Sequence, residues 1–187
     1  MTPAKKERRD VTSDIARRRF QDCVLPHLDD AYALARWLTG SAADAEDVVQ
    51  DACLRALKAL EDAPPEKPRA FLLAVTRNAA FTWLGKNRPR ALVLAGGAEE
   101  AEAHVAALPG EHADSPEQAL IEAADRAAVT AAIDGLPITF KETLIMREIN
   151  GLSYREIAEA TGAPVGTVMS RLARARALLA ETLGAAR

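Results

Sequence analysis

The stretch GLSYREIAEATGAPVGTVMSRLARAR, from Gly151 to Arg176, decides how the second half of the chain folds. Ser153 and Glu156 have the spacing of a capping box, in which serine and glutamate each satisfy a backbone N–H at the start of a helix. Gly162 closes that helix after about two turns, because glycine enters the left-handed conformation without a Cβ clash. Pro164 then stands near the start of a second helix, where its missing N–H costs nothing. Ala158, Gly162 and Val168 follow the pattern of a helix-turn-helix: a small residue at the crossing, a glycine in the turn and an apolar core residue. Ile157 and Ala158 are expected to face inward from the first helix, and Val168 and Leu172 from the second.

That register turns Thr167, Ser170, Arg171 and Arg174 away from the core. Hydroxyl and guanidinium groups suit base edges and phosphates, and Thr161 to Arg187 holds four arginines against one acid. Arginines alone would read as a solvated helix face. Their coincidence with the helix-turn-helix spacing points to DNA.

Working upstream, LPITFKETLIMREING (Leu136–Gly151) supplies a preceding helix over about 139–149, closed by Asn150 and Gly151. Before it, Ser115, Pro116 and Gln118 signal a helix start, and Ile121, Ala124, Ala128, Ala131 and Ala132 continue a helical pattern to Gly135. From Gly96 to Pro116 apolar periodicity disappears. Glu99 to Asp125 carries eight acids and no lysine or arginine. This reads as a flexible acidic linker, and 20 extended residues reach at most about 70 Å.

The first half is also helical. A pattern begins near Ser13, breaks at Pro26, resumes from His27 to Leu38 and ends at Gly40. The next helix starts within Ser41–Asp47, with Asp44, Glu46 and Asp47 placed favourably at the positive end of its dipole. Val49, Cys53, Ala56 and Leu60 form an apolar stripe. Asp47, Gln50, Asp51 and Leu54 share another face at helical spacing, which by default is solvated. Prolines make Glu61 to Pro68 a loop. A last helix from about Arg69 to Lys86 ends at Asn87-Arg88-Pro89. Val75 to Arg90 carries Arg77, Lys86, Arg88 and Arg90 without an acid, interleaved with Phe81 and Trp83 and following Phe71. Positive charge with aromatic rings suits single-stranded DNA, although at least two of these rings are expected in the core.

Composition sets the outer bounds. Of 187 residues, 49% are hydrophobic and only 4% aromatic, and the net charge is −3. Such a chain buries a core through small side chains, and it is not a uniformly basic nucleic-acid binder. Cys23 and Cys53 lack metal-ligand spacing and read as buried free thiols, so neither a metal nor any cofactor is expected. No apolar run is long enough for a membrane span, and no apolar signal core follows the polar segment Met1–Arg9. A cytoplasmic protein without membrane contact of its own is expected.

These motifs together resemble extracytoplasmic-function sigma factors of the sigma-70 superfamily. GLSYREIAEATGAPVGTVMSRLARAR and LPITFKETLIMREING resemble the promoter-reading carboxy-terminal domain. DAEDVVQDACLRALK (Asp44–Lys58) resembles the helix that docks on core RNA polymerase, and FLLAVTRNAAFTWLGKNRPR (Phe71–Arg90) the helix that melts and reads the downstream element. The likeness covers residues 15–92 and 116–183. It implies an all-α chain with a disordered tail (1–14), a region-2-like helical bundle (15–92), a linker (93–115) and a region-4-like helix-turn-helix domain (116–187).

By that resemblance the first domain binds the polymerase through Asp47, Gln50, Asp51 and Leu54 and takes the minus-10 element. Asn78 joins Arg77, Lys86, Arg88 and Arg90 in the DNA-binding set on the resemblance alone. The second domain reads the minus-35 element through Thr167, Ser170, Arg171 and Arg174. The linker lies in or near the RNA exit path, an anti-sigma factor is the expected regulator, and the chain has no catalytic residues. Met169 stands where the family often has a basic residue, and Phe71 where it often has tryptophan. Two other classes remain open: a helix-turn-helix repressor or activator, for which no dimerisation module is visible, and a helical-bundle metalloenzyme, for which no histidine has the needed Glu-x-x-His spacing.

Overall fold

A computed structural model describes residues 14–87 and 116–185, with side chains of the second stretch from residue 123 onward. Every regular element among them is helical. The first half comprises α1 (14–23), a single 3-10 turn at Leu25–His27, α2 (Leu28–Thr39), α3 (Ala42–Ala59) and α4 (Pro68–Asn87). The second comprises α5 (Pro116–Asp134), α6 (Ile138–Leu144) running into a π-helical turn (Ile145–Ile149), α7 (Tyr154–Thr161) and α8 (Val165–Ala185). The tail, the acidic linker and the Ser115 cap lie outside the described residues.

Helices α2, α3 and α4 pack on one another. Their contact faces are rich in alanine: Ala31 and Ala35 on α2, Ala45, Ala52 and Ala56 on α3, and Ala79 and Ala80 on α4 are all buried. Small side chains let helix axes approach closely, so larger residues can fill the space around the crossings. Trp37, Leu34, Leu72 and Leu73 do so and are wholly buried. Burying one such leucine is worth about 1.5–3 kcal/mol. The inner face of α3 is centred on Ala45, Val48, Ala52 and Ala56, with Val49 and Cys53 half-buried at its margin.

Helix ends are set by local chemistry. Gly40 ends α2 at φ 80°, its N–H bonded to the Arg36 carbonyl. Ser41 caps α3 by accepting from the Asp44 N–H. The capping box of α7 forms: the Ser153 hydroxyl accepts from the Glu156 N–H, while the Glu156 carboxylate accepts from the Ser153 N–H at 2.9 Å. Gly162 closes α7 at φ 68°. Val168 and Leu172 are buried on α8, as is Ile157 on α7, whereas Ala158 is only half-buried and Ala160 takes the inner position.

The two halves are not separate bodies. Helix α2 packs on α6 and α4 on α7, and one apolar core runs from Leu34, Leu38 and Leu73 through Ile145, Met146 and Ile157 to Leu172. Helix α6 is wedged into this seam and buried on every side from Lys141 through Met146. The π turn beyond it widens the backbone by one residue, so that Asn150 N–H bonds to the Ile145 carbonyl at 3.0 Å. This aims the Asn150 amide across the seam at the Asp30 carbonyl, 3.2 Å away. Asp30 is itself gripped by both arms of Arg69, at 2.6 and 2.8 Å. No helix among the described residues is long and apolar enough to cross a membrane.

Ser153→Ala removes the α7 cap and should lower stability by about 1 kcal/mol in urea unfolding. A second expectation concerns acid. The Arg69 hydrogen bond holds the Asp30 carboxyl below its ordinary value of 3.8. A depressed carboxyl contributes stability that is present above the unfolded value and lost as pH falls through the folded one. Asp30→Asn should therefore weaken the protein at neutral pH and flatten its loss of stability below about pH 4, which unfolding curves at stepwise lower pH will read.

Candidate nucleic-acid interface

Helix α8 is anchored by Val168, Leu172 and Ala175, a spacing of four and three that places them on one inner stripe. The opposite face offers Ser170 and Arg174 to solvent, with Thr167 half-buried about one turn before Ser170. The Ser170 hydroxyl donates to the Thr167 carbonyl at 3.0 Å, leaving its lone pairs outward. Met169 and Val165 flank this face and are 53% and 39% exposed. The sequence places Arg171 with the outward residues. In the structure its side chain is only 25% exposed and its guanidinium stands 3.5 Å from Glu142.

On α4, Asn78 and Lys86 are exposed. Arg88 and Arg90 lie outside the described residues. Arg77 lies against the seam: its Nε donates to Glu142 at 2.7 Å, one terminal nitrogen donates to the second carboxylate oxygen at 3.4 Å, and the other to the Asn78 amide oxygen at 3.1 Å. The guanidinium also stacks on Phe81, 4.1 Å from the ring centroid. Phe71, Phe81 and Trp83 are all half-buried and packed against apolar clusters.

The third group lies on α3. Asp47 and Gln50 are exposed, Leu54 is 64% exposed, and Asp51 pairs with Arg55 one turn on at 2.6 Å. A partly exposed pair of this kind is worth only about 0.3–0.5 kcal/mol, so Asp51 is readily available to another partner. The result is an open helix face with an apolar residue among carboxylates and an amide.

Glu142 is the residue that sequence reasoning missed. Its side chain has no exposed surface. Burial pushes its carboxyl above the ordinary value of 4.5, against the opposing pull of Arg77 and Arg171. The signal available in the sequence was that Ile138, Phe140, Leu144, Ile145, Met146 and Ile149 leave almost no polar side to this helix, so its charged residues must be buried too. Lys141 is the second such case, bonded to Asp134 at 3.1 Å with both nearly buried. Elsewhere Arg176 pairs with Glu148 at 2.6 Å, and Arg147 stacks on Tyr154 while donating to the Leu152 carbonyl.

Cys23 is buried and Cys53 half-buried, both as free thiols. Burial raises the Cys53 thiol further from the reactive thiolate form. Among the described residues no three histidine, cysteine or acidic side chains converge as a metal site would require.

Residues 23–90 match the family model of sigma-70 region 2, and residues 126–179 that of sigma-70 region 4. The chain is 31% identical over 175 residues to the ECF RNA polymerase sigma factor SigE of Mycolicibacterium smegmatis, covering 93% of this chain and 65% of that longer protein. It is 33% identical over 175 residues to the RNA polymerase sigma-H factor of Pseudomonas aeruginosa, covering 89% of this chain and 87% of that one. Among solved structures, the sigma factor RpoE from Bartonella quintana, in complex with the anti-sigma factor NepR, is similar with a TM-score of 0.66 at 25% identity, covering 90% of this chain and 98% of that one. With both family regions matched in order and likeness to such relatives over most of this chain, the chain belongs to the extracytoplasmic-function RNA polymerase sigma factors, which are transcription initiation factors and not enzymes.

Proposed function

We propose that this chain binds core RNA polymerase and directs it to promoters, its first half taking the minus-10 element and its second half the minus-35 element. The observation that carries this reading is the helix-turn-helix of α7 and α8, which presents Ser170 and Arg174 on a face clear of the core. A hydroxyl and a guanidinium there suit phosphate and base-edge contacts in a major groove. Thr167 and Arg171 belong to the same helix and complete the reading set once Arg171 leaves Glu142.

In the first half, Arg77 and Asn78 in the middle of α4 and Lys86, Arg88 and Arg90 at and beyond its end form the DNA-binding set. The exposed α3 face of Asp47, Gln50, Asp51 and Leu54 is the polymerase contact, with Leu54 as its apolar centre. The domain limits implied by this division are residues 15–92 and 116–187, with the acidic stretch 93–115 between. The site of action is the cytoplasm, where polymerase and promoter are. The chain supplies no reacting group and lends specificity to the polymerase's chemistry. An anti-sigma factor, the kind of partner bound by the similar RpoE structure, controls access to it.

Purified chain mixed with core polymerase should co-elute on size exclusion and confer initiation on promoter templates that core enzyme alone ignores; no co-elution at low salt from a folded sample overturns the reading. Arg174→Ala should cost about 1–3 kcal/mol of upstream-element binding, read as reduced transcription that a mutated minus-35 element no longer distinguishes. Asp51→Arg should abolish co-elution while the unfolding curve stays in place, because the change lies on an exposed face; normal co-elution removes Asp51 from the docking surface.

A further inference from the structure

Helix α8 carries two rows of exposed residues, each stepping four positions along the helix: Val165, Met169 and Ala173 in one, Gly166, Ser170 and Arg174 in the other. Residues four apart lie nearly above one another, and the rows run side by side about 100° apart around the axis. The second row holds the hydroxyl and guanidinium suited to phosphates and base edges. The first is wholly apolar.

Met169 is 53% exposed and Val165 39%, and among the described residues they are the large apolar side chains of the second half left open to solvent. A single exposed methionine would need no explanation. Here two large apolar side chains stand one turn apart, at the end of α8 that a helix-turn-helix inserts into the major groove. Their surroundings leave Met169 projecting. Ala173 is short, and an added Cβ at Gly166 would meet no atom within 4 Å, so the backbone beside Met169 is bare. An unbranched thioether there reaches beyond the small residues around it and adapts its shape to what it meets.

Every base pair presents hydrogen-bonding atoms in the major groove, but of the four bases only thymine presents a methyl group. That methyl offers no hydrogen bond to a hydroxyl or a guanidinium, whereas against a methionine it removes apolar surface from water. The rise of about 6 Å from Val165 to Met169 spans nearly two base-pair steps.

We infer that Met169, backed by Val165, is a specificity-determining residue that reads the C5 methyl of thymine at one or two neighbouring positions of the upstream element. This rests on the assignment of α8 to that element. The two rows divide the work: Ser170 and Arg174 hold the helix on polar atoms, and the apolar row tells which strand of an A·T pair carries the thymine.

The test uses the full chain assembled with core polymerase. This holoenzyme first selects from promoter duplexes randomised in both elements. Each thymine of the selected upstream element is then replaced in turn by deoxyuridine, which keeps every hydrogen-bonding atom and removes only the methyl. At one or two neighbouring positions the replacement should weaken holoenzyme binding about fourfold, the worth of burying one methyl group. Met169→Ala should bind thymine and uracil templates alike, while Met169→Leu should keep most of the discrimination; both changes lie on an exposed face and leave the core intact. Uracil equal to thymine at every position, or a selected element without thymine, overturns the inference. Discrimination undiminished in Met169→Ala removes Met169 as the reader. Selection of no promoter by a folded chain overturns the sigma-factor reading and this inference with it, whereas selection without methyl discrimination overturns the inference alone.

Discussion

The side chain on which the arrangement turns is Glu142, a carboxylate with no solvent-exposed surface that takes its compensation from both halves of the chain. A buried charge costs several kcal/mol unless it is paired and hydrogen-bonded. Here the desolvation is large enough to push the carboxyl upward in spite of Arg77 and Arg171. Such a group adds little net stability. It does restrict how the helices pack, because a slip of α4 or of α8 by a helical turn takes away one of the two cations that compensate the buried carboxylate. Attraction and register thus come from different residues: Leu34, Leu73, Ile145 and Met146 draw the halves together, and Glu142 fixes where they stop.

The π turn at Ile145–Ile149 serves the same seam. An α-helical continuation would rotate Asn150 by about 100° per residue and point its amide elsewhere. Widening the turn sends it to the Asp30 carbonyl, beside the Arg69 pair that already holds Asp30 in place. Asn150 is fully buried, so its bond across the seam is made in a low-dielectric setting, where geometry is enforced more strictly than at the surface. The seam is therefore specified at separate points, one ionic around Glu142 and one amide-to-backbone around Asn150.

Local chemistry made most of the fold legible. Gly40, the Ser153–Glu156 box and Gly162 act over a few residues, and each sits where its spacing puts it. The solvent face of α3 was legible too, since Asp47, Gln50 and Leu54 recur at helical intervals and all are exposed. Two readings besides that of Ala158 needed correction. The stripe of Val49, Cys53, Ala56 and Leu60 was drawn a little to one side of the true inner face of α3, because alanines at 45 and 52 carry little weight in an apolar pattern yet are fully buried. Arg171 was expected to point outward with Arg174. Spacing gives the direction of a Cβ, whereas a long guanidinium side chain can turn back along its helix toward a buried carboxylate. Nothing local to Arg171 reveals Glu142, 29 positions earlier, and nothing local to Arg77 reveals it either, 65 positions later. Contacts between halves depend on the chain's long-range closure, which periodicity does not encode.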